Sequence, residues 1–479
     1  MLSFPKTMRH SAHTRNRTRR EQGSTLVIVL WIAVGLVSLT LYFAQTMLSE
    51  ARASDHRVQG LAAEQAIEGG VRYALAVLAG RLTNGIIPDP SSYECESVAL
   101  ESASLAEQDS ARFWFIGRDT NSAAAQFVAF GLVDEGAKLN LNSARSNELY
   151  YLTDWDVEVT EAILDWRGTN GPGTSLSWYG MQTPSYECKQ APFETVDELR
   201  LVLGLTSEVL QGEDMNRNGV LDPDETDVNR DGAADAGLLD LVTIYTREPN
   251  TYSNGIARVN IRSMGSGAQE FSQLLQDNIG SARATIILQQ LGLGGGQGGQ
   301  GGQGATGFTS PLQLFRRGGF TVEEFAAIED KITVVEGDYI EGRLNINTAS
   351  ERVLSCLPGL IDSPDLVQLL VDYRVKSPDG LTSLGWLVEA LGQNNESVLA
   401  ELEQRDILTT QSYQFTADIA ATGAYGRGYR RVKFVLDTAT GVPRVVYRQD
   451  LTGLGWALGK ETRDELNRSK TGNGSIASK

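Results

Sequence analysis

Hydrophobic and polar positions divide the chain into three kinds of stretch. The first is residues 24–43, STLVIVLWIAVGLVSLTLYF, which carries no charged residue. A helix rising 1.5 Å per residue over that length spans about 30 Å, one bilayer core. Beyond it, Ile67, Val71, Ala74, Leu75 and Leu78 recur at helical spacing, with Glu50, Arg52, Glu64 and Arg72 elsewhere and no proline over 47–80. Together the two stretches predict one spine helix, apolar first and amphipathic afterwards. It should end near Gly80, where the turn residues TNGIIPDPSS begin.

The second kind alternates with period two. ARFWFIGRD (111–119) and AAQFVAFGLVDE (124–135) follow the spine, and YQFTADIAATG (413–423), YRRVKFVLD (429–437) and PRVVYRQD (443–450) close the chain. These read as strands of one antiparallel sheet packed on the spine. The third kind lies between them and repeats itself. LNLNSA (139–144), VNIRSM (259–264) and LNINTA (344–349) place Asn140, Asn260 and Asn345 in register, and each leads into a helical pattern. ILDWR (163–167) and LLVDYR (369–374) share the order apolar, Asp, aromatic, Arg. Further on, FETVDELRLVLG (193–204) and LTSLGWLVEALG (381–392) correspond, with Thr195 and Ser383 as N-caps, and FTVEEFAAI (320–328) takes that place in the second copy. Duplicated units of this kind bury apolar faces against one another.

The expected fold is therefore α+β. A spine helix (24–80) follows a basic leader (1–23), strands occupy 81–133, a mostly helical insertion spans 134–410, and strands close the sheet over 411–459. GTNGPGTSLSWYG (168–180) and the glycine-rich run 291–307 read as flexible loops, and 460–479 as a disordered tail.

Charge and reactive residues narrow the function. The net charge is −18, and the leader alone removes Lys6, Arg9, Arg15, Arg17, Arg19 and Arg20 against Glu21, so the remainder is more acidic still. An acidic surface repels nucleic acid and anionic lipid. Basic residues ahead of the span keep the N-terminus in the cytosol and send the bulk outward. The span runs directly into a helical pattern without the small-residue cleavage site of a secretory signal, which argues for a retained anchor. Only His10, His13 and His56 occur, so the exported part has no histidine for a Ser-His-Asp, Cys-His or His-zinc site, and a membrane hydrolase is disfavoured. Cys95 and Cys188 sit in matching contexts, SYECES and SYECKQ, and are either bridged or two free thiols; Cys356 lies in an apolar run.

The sharpest chemistry is EDMNRNGVLDPDETDVNRDGAADAGLLD (213–240), nine carboxylates against Arg217 and Arg230. An EF-hand loop surrounds calcium with oxygens at positions 1, 3, 5, 7, 9 and 12 and needs glycine at 6. Counting from Asp214 gives Asn216, Asn218, Gly219, the Val220 carbonyl, Asp222 and Glu225, and every slot fits. A second array, Asp227, Asn229, Asp231, Gly232 and Asp235, has Leu238 in the twelfth slot and needs another closing ligand, with Asp240 or water in view. Calcium at these loops would pin a long insertion.

Two resemblances to known proteins follow from these residues. Arg-Arg-Glu-Gln-Gly23 ahead of Ser24 and an unbroken apolar helix is similar to the prepilin cleavage site, where a prepilin peptidase cuts after the glycine and methylates the new N-terminus. Most members carry Glu at the fifth mature position, which here is Ile28. That departure, with the interrupted helical insertion and the calcium loop, resembles the K minor pseudopilins of type II secretion. The resemblance implies a non-enzymatic inner-membrane protein with a periplasmic head, placed at the tip of a pseudopilus beside the I and J minor pseudopilins and the major pseudopilin, initiating fibre assembly. Separately, the Asn-x-Asn-(Ser/Thr)-Ala starts and LPGL (357–360) resemble helix-hairpin-helix units, which raises a membrane-tethered DNA-binding protein of the competence type. Asp362 and Asp365 follow that hairpin with no Lys or Arg before Arg374, where a phosphate-binding hairpin would carry basic flanks, so a role without nucleic acid is favoured.

Overall fold

The computed structural model describes residues 21–83, 98–99, 110–118, 127–154, 156–171, 173, 175–252, 255–293 and 307–472. Most of the leader (1–20), Cys95 and nearly all of the glycine-rich run lie outside them. The first helix, α1, runs from Glu21 to Thr83 without a break. The chain divides into two compact units, residues 1–59 and 60–479. In the first, α1 includes a window of mean hydropathy 2.5, none of it buried, long and apolar enough to cross a membrane.

In the second unit, the rest of α1 is the bed for a sheet. Along the chain the main strands are β1 (Val98–Ala99), β2 (Arg112–Phe115), β3 (Val133–Asp134), β4 (Leu139–Asn140), β5 (Val242–Thr243), β6 (Val259–Asn260), β7 (Ile332–Thr333), β8 (Leu344–Asn345), β9 (Leu408–Thr409), β10 (Gln414–Thr422), β11 (Arg430–Asp437) and β12 (Arg444–Asp450). β1-β2-β10-β11-β12 form the antiparallel sheet in that order, and β3 also pairs β10. Strands from before and after the insertion thus meet in one sheet: Ala420 of β10 faces Trp114 of β2 on one side and Arg431 of β11 on the other.

Alternation decides what each face does. Phe415, Ala417, Ile419 and Ala421 point one way with Phe113, Phe115, Val432, Phe434 and Leu436, and they bury Ala63, Ala66, Ile67, Val71, Ala74 and Leu78 of α1. Those α1 positions follow the three- and four-residue steps of one helical stripe. Gly70 belongs to the stripe because a Cβ there would stand 3.0 Å from the Phe113 ring. The opposite face carries Gln414, Thr416, Asp418, Arg431 and Lys433, which are polar and largely covered. Its polar groups are met by the insertion: Gln414 Nε2 donates to the Arg247 carbonyl at 2.9 Å, and Thr416 donates to Glu135 at 2.5 Å.

The insertion is three closed units, each opened by an Asn-containing strand and shut by a parallel two-residue strand. β4 pairs β5, β6 pairs β7, and β8 pairs β9. The closing strands read Val242-Thr243, Ile332-Thr333 and Leu408-Thr409, a second repeat signature that the opening motifs alone do not reveal. Each threonine hydroxyl accepts the N–H two residues on, at 3.1–3.2 Å. Each opening asparagine does likewise: Asn140, Asn260 and Asn345 accept from Asn142, Arg262 and Asn347 at 2.9–3.0 Å. That side-chain turn swings the chain from strand into helix.

The Asp-aromatic-Arg motif also acquires a role. Arg167 ends α3 (Val157–Arg167), which follows α2 (Ser146–Leu152), and it donates to the carbonyls of Leu141 and Ala144. Arg374, in a later helix (Pro364–Lys376), donates to Ile346 and Ala349, the matching pair. The second copy has no such arginine; there the Ile261 carbonyl takes the N–H of Phe308 at 3.0 Å. One apolar core joins all three units, from Leu139 to Leu408.

Several expectations change. Residues 460–472 form a helix (Gly459–Gly472) with Leu466 buried rather than a disordered tail. Thr195 caps its short helix with Glu198, whereas Ser383 sits one residue before the cap position at Leu384. The counterpart of Thr195 is Thr321, which forms the same capping box with Glu324. Of the run 124–135, the described part contributes only a bridge at Phe130 and the two residues of β3, because its glycine and the turn at Glu135–Ala137 stop the ladder early.

Candidate calcium-binding segment

Residues 211–240 leave and re-enter the first repeat just before its closing strand. Their base is a short antiparallel crossing: Gly237 N–H donates to Gln211 O at 3.1 Å and Glu213 N–H to Asp235 O at 2.9 Å. The chains approach so closely that a Cβ on Gly212 or Gly237 would lie 2.2 Å from opposing backbone. Above this crossing sit two loops of the same shape. Each turns through the left-handed region at its fourth and sixth residues, Arg217 and Gly219 in one, Arg230 and Gly232 in the other.

In the first loop, Asp214 accepts the N–H groups of Asn218 (2.9 Å) and Gly219 (2.6 Å). Glu225 closes the ring, taking the N–H of Asn216 at 3.0 Å and of Asp222 at 2.9 Å. The amides of Asn216 and Asn218 both reach Asp222 Oδ2, at 2.6 and 2.8 Å, so three ligand-type side chains converge there. Val220 donates its N–H to Asn218 at 2.9 Å. Burial pushes the Asp214 carboxyl up, opposed by Arg118 and reinforced by Asp240; burial also raises Glu225, with Asp214 and Asp222 adding repulsion.

Asn216 Oδ1 is buried and has no hydrogen-bond partner among the described residues, in a residue only 8% exposed. A buried acceptor left unpaired costs about 1–3 kcal/mol, and a cation would satisfy it. Asp214, Asn216, Asn218, Asp222, Glu225 and the Val220 carbonyl are hard oxygen donors of the kind calcium takes. Among the described residues, no group of three or more His, Cys, Asp or Glu side chains stands ready to hold a metal by itself, so the amide and backbone oxygens are needed.

The second loop is more exposed. Asp227 accepts from Arg230 (2.5 Å) and Gly232 (3.0 Å), and the Asn229 amide reaches Asp231 and Asp235 at 3.0 and 2.9 Å. Its closing carboxylate is one the linear spacing hides. Glu213 accepts from Val228 at 2.6 Å and from Asn229 and Asp235 at 3.4 Å. Glu225 takes the N–H groups of residues 3 and 9 of its own loop, and Glu213 takes those of residues 3 and 9 of the other. Burial, then Glu213, then Asp231 raise the Asp235 carboxyl. Asp240 is not the closing group: Arg217 Nη2 holds it at 2.6 Å and Arg118 stands 3.6 Å away. Although burial opposes it, those two guanidiniums hold Asp240 far below the usual carboxylate range.

The segment is tied to the sheet. Arg431 of β11 is fully buried; it donates to Asp418 at 2.6 Å and to the carbonyls of Asn216 and Arg217. Asn216 Nδ2 also reaches the Trp456 carbonyl at 3.3 Å. Residues 214–217 therefore fix the insertion against the polar face of the sheet. Among the described residues, Cys188 is half-buried with no disulfide partner and Cys356 is buried.

No protein-family profile matches the sequence. No curated protein matches it either. Among solved structures, the chain is similar to one in the GspK-GspI-GspJ complex of the type 2 secretion system from enterotoxigenic Escherichia coli. The likeness covers 84% of this chain and 99% of that one, at 12% identity and a TM-score of 0.32.

Proposed function

We propose that this protein is a minor pseudopilin of the K type in type II secretion, anchored in the inner membrane with its N-terminus cytoplasmic and its head periplasmic. The observation that carries this reading is the way residues 63–78 of α1 underlie an antiparallel sheet whose strands flank a long helical insertion. The prepilin-like leader ending at Gly23 and the lack of an acid at Ile28 agree with it. A prepilin peptidase would cleave between Gly23 and Ser24 and methylate the new terminus. Without Glu at the fifth mature position, the subunit lacks the group thought to meet the amine of a subunit above, which suits a tip. Its partners would be the I and J minor pseudopilins and the major pseudopilin, and its work the initiation of a fibre rather than catalysis.

Calcium is the cofactor of this reading. It would occupy Asp214, Asn216, Asn218, Val220, Asp222 and Glu225, and a second ion Asp227, Asn229, Asp231 and Asp235 with Glu213. Its role would be structural, locking the insertion to the sheet through Arg431. The DNA-binding alternative is disfavoured by the charge around the LPGL turn, where Asp362 and Asp365 follow with no Lys or Arg before Arg374. Substituting Gly23→Leu in cells expressing a prepilin peptidase should leave the protein at its precursor size. Wild type and variant of equal mature size would sink the pilin assignment.

A further inference from the structure

A cavity of about 690 Å³ lies where the polar face of the sheet meets the first and third repeats and the segment 211–240. Its mouth is at the exposed residues Ala236, Glu351 and Arg352. On the sheet side Thr416, Asp418 and Lys433 line it; Leu241 of the first repeat and Val353 and Val371 of the third add apolar surface.

The buried carboxylates around this space already have donors. Arg431 holds Asp418 and Arg217 holds Asp240, each at 2.6 Å. Asp134 takes four donors, and Asp214 takes the N–H groups of Asn218 and Gly219. Glu135, behind the wall, is filled by Lys138 (2.6 Å) and by Thr243 and Thr416 (each 2.5 Å). Cations are committed as well: Arg118 donates to the Gly117 and Arg217 carbonyls, and Arg352 pairs with Asp154. Lys433 differs. It stands opposite Asp418 in the β10–β11 register, yet its ammonium has no hydrogen bond or ion pair among the described residues, because Arg431 has taken that carboxylate. The unmatched group of the wall is therefore a cation.

We propose that this cavity binds a small organic monocarboxylate, its carboxylate on the Lys433 ammonium and its carbon chain against Val353 and Val371. One unmatched ammonium suits one negative charge. A dianion such as phosphate would meet Asp134, Asp214, Asp240 and Asp418 around the same space, and a neutral ligand would leave the lysine without a counter-charge. The volume falls within the range of about 300–1,000 Å³ usual for small-molecule sites. Burial and then Lys138 push the ammonium down to about 8, against Glu135 and Asp240, and a carboxylate lodged on it would relieve that strain on its charge.

Calorimetric titration of the full-length protein in detergent with hexanoate, hexanamide and inorganic phosphate tests this. Hexanoate should bind about tenfold or more tighter than either of the others, since a hydrogen bond between charged groups outweighs a neutral one by at least that factor. Lys433→Met should lose that margin, and Lys433→Arg should keep most of it. No hexanoate binding, equal affinity for hexanamide, tighter binding of phosphate, or a Lys433→Met protein that binds hexanoate like wild type would overturn the proposal. If Lys433→Met does not fold, nuclear Overhauser contacts in the wild-type protein decide. Contacts from the hexanoate chain to the Val353 and Val371 methyl groups support the site, and their absence at saturating hexanoate refutes it.

Discussion

At the scale of single residues, buried polar groups mark where this protein is specified. Glu213 and Glu225 hold the same positions of two different loops, although one precedes its loop and the other ends its own. Calorimetric titration with calcium should give two sites for wild type and one each for Glu213→Gln and Glu225→Gln. Unchanged stoichiometry in Glu213→Gln would remove it from the second loop. Asp134 is a second such group. It is fully buried and accepts from Gly136, Asn345, Thr348 and Ser412 at 2.5–3.1 Å, joining β3 to the third repeat. Burial lifts its carboxyl to about 6 against those four donors. The stability it contributes is complete below the unfolded value of 3.8 and is lost as pH rises through about 6. Relative to Asp134→Asn, wild type should lose about 2.4 kcal/mol between pH 4 and pH 7, since one pKa unit is about 1.4 kcal/mol. Parallel thermal-melt curves for the two proteins would contradict this.

At the scale of elements, the repeat is a strand-to-strand closure, and its parts have separable jobs. The asparagine turns the chain, the helices bury the core, the arginine pins the turn behind it, and the threonine strand shuts the unit. The opening motifs and arginines were legible because they recur in order. Their purpose was not, since Arg374 and Ala349 are far apart in sequence. The closing threonine strands are not legible in the sequence for a related reason: two residues carry too little periodicity to announce a strand. The two carboxylate-rich loops obey the same logic. Their twelve-residue spacing was readable, but Glu213 reaches Asp235 only because the chains at Gly212 and Gly237 cross at their base. Gly237→Ala should open that crossing, costing the segment about 1–3 kcal/mol of local stability and weakening the second calcium site more than the first. Equal affinities at both sites in wild type and Gly237→Ala, measured by calcium titration, would show that the crossing does not set the geometry.

At the scale of the whole molecule, a strongly acidic chain joins a sheet and an insertion through charges in their shared interior. Arg431 is the centre of that joint, with Asp418 beside it and two loop carbonyls under it. Removing one partner of a buried ion pair typically costs about 3–5 kcal/mol because the other charge is left alone. Arg431→Ala should therefore lower the thermal midpoint and also weaken calcium binding, although it contributes no ligand. A stable variant with wild-type calcium affinity would show that loop and sheet are energetically independent.

The sequence by itself determined the apolar helix, the strand alternation on both sides of the insertion, the repeat starts and the spacing of the first carboxylate-rich loop. Each is a local pattern, in which period, spacing or turn residues act on near neighbours along the chain. Tertiary structure alone decided which distant residues meet: Glu213 with the second loop, Arg431 with the first and Asp134 with the third repeat. It also ordered residues 460–472, whose polar sequence offers only Leu466 as an anchor. These are pairings between segments with no common period. They are set by how layers stack and by the need of every buried charge for a partner, and no window along the chain contains both members.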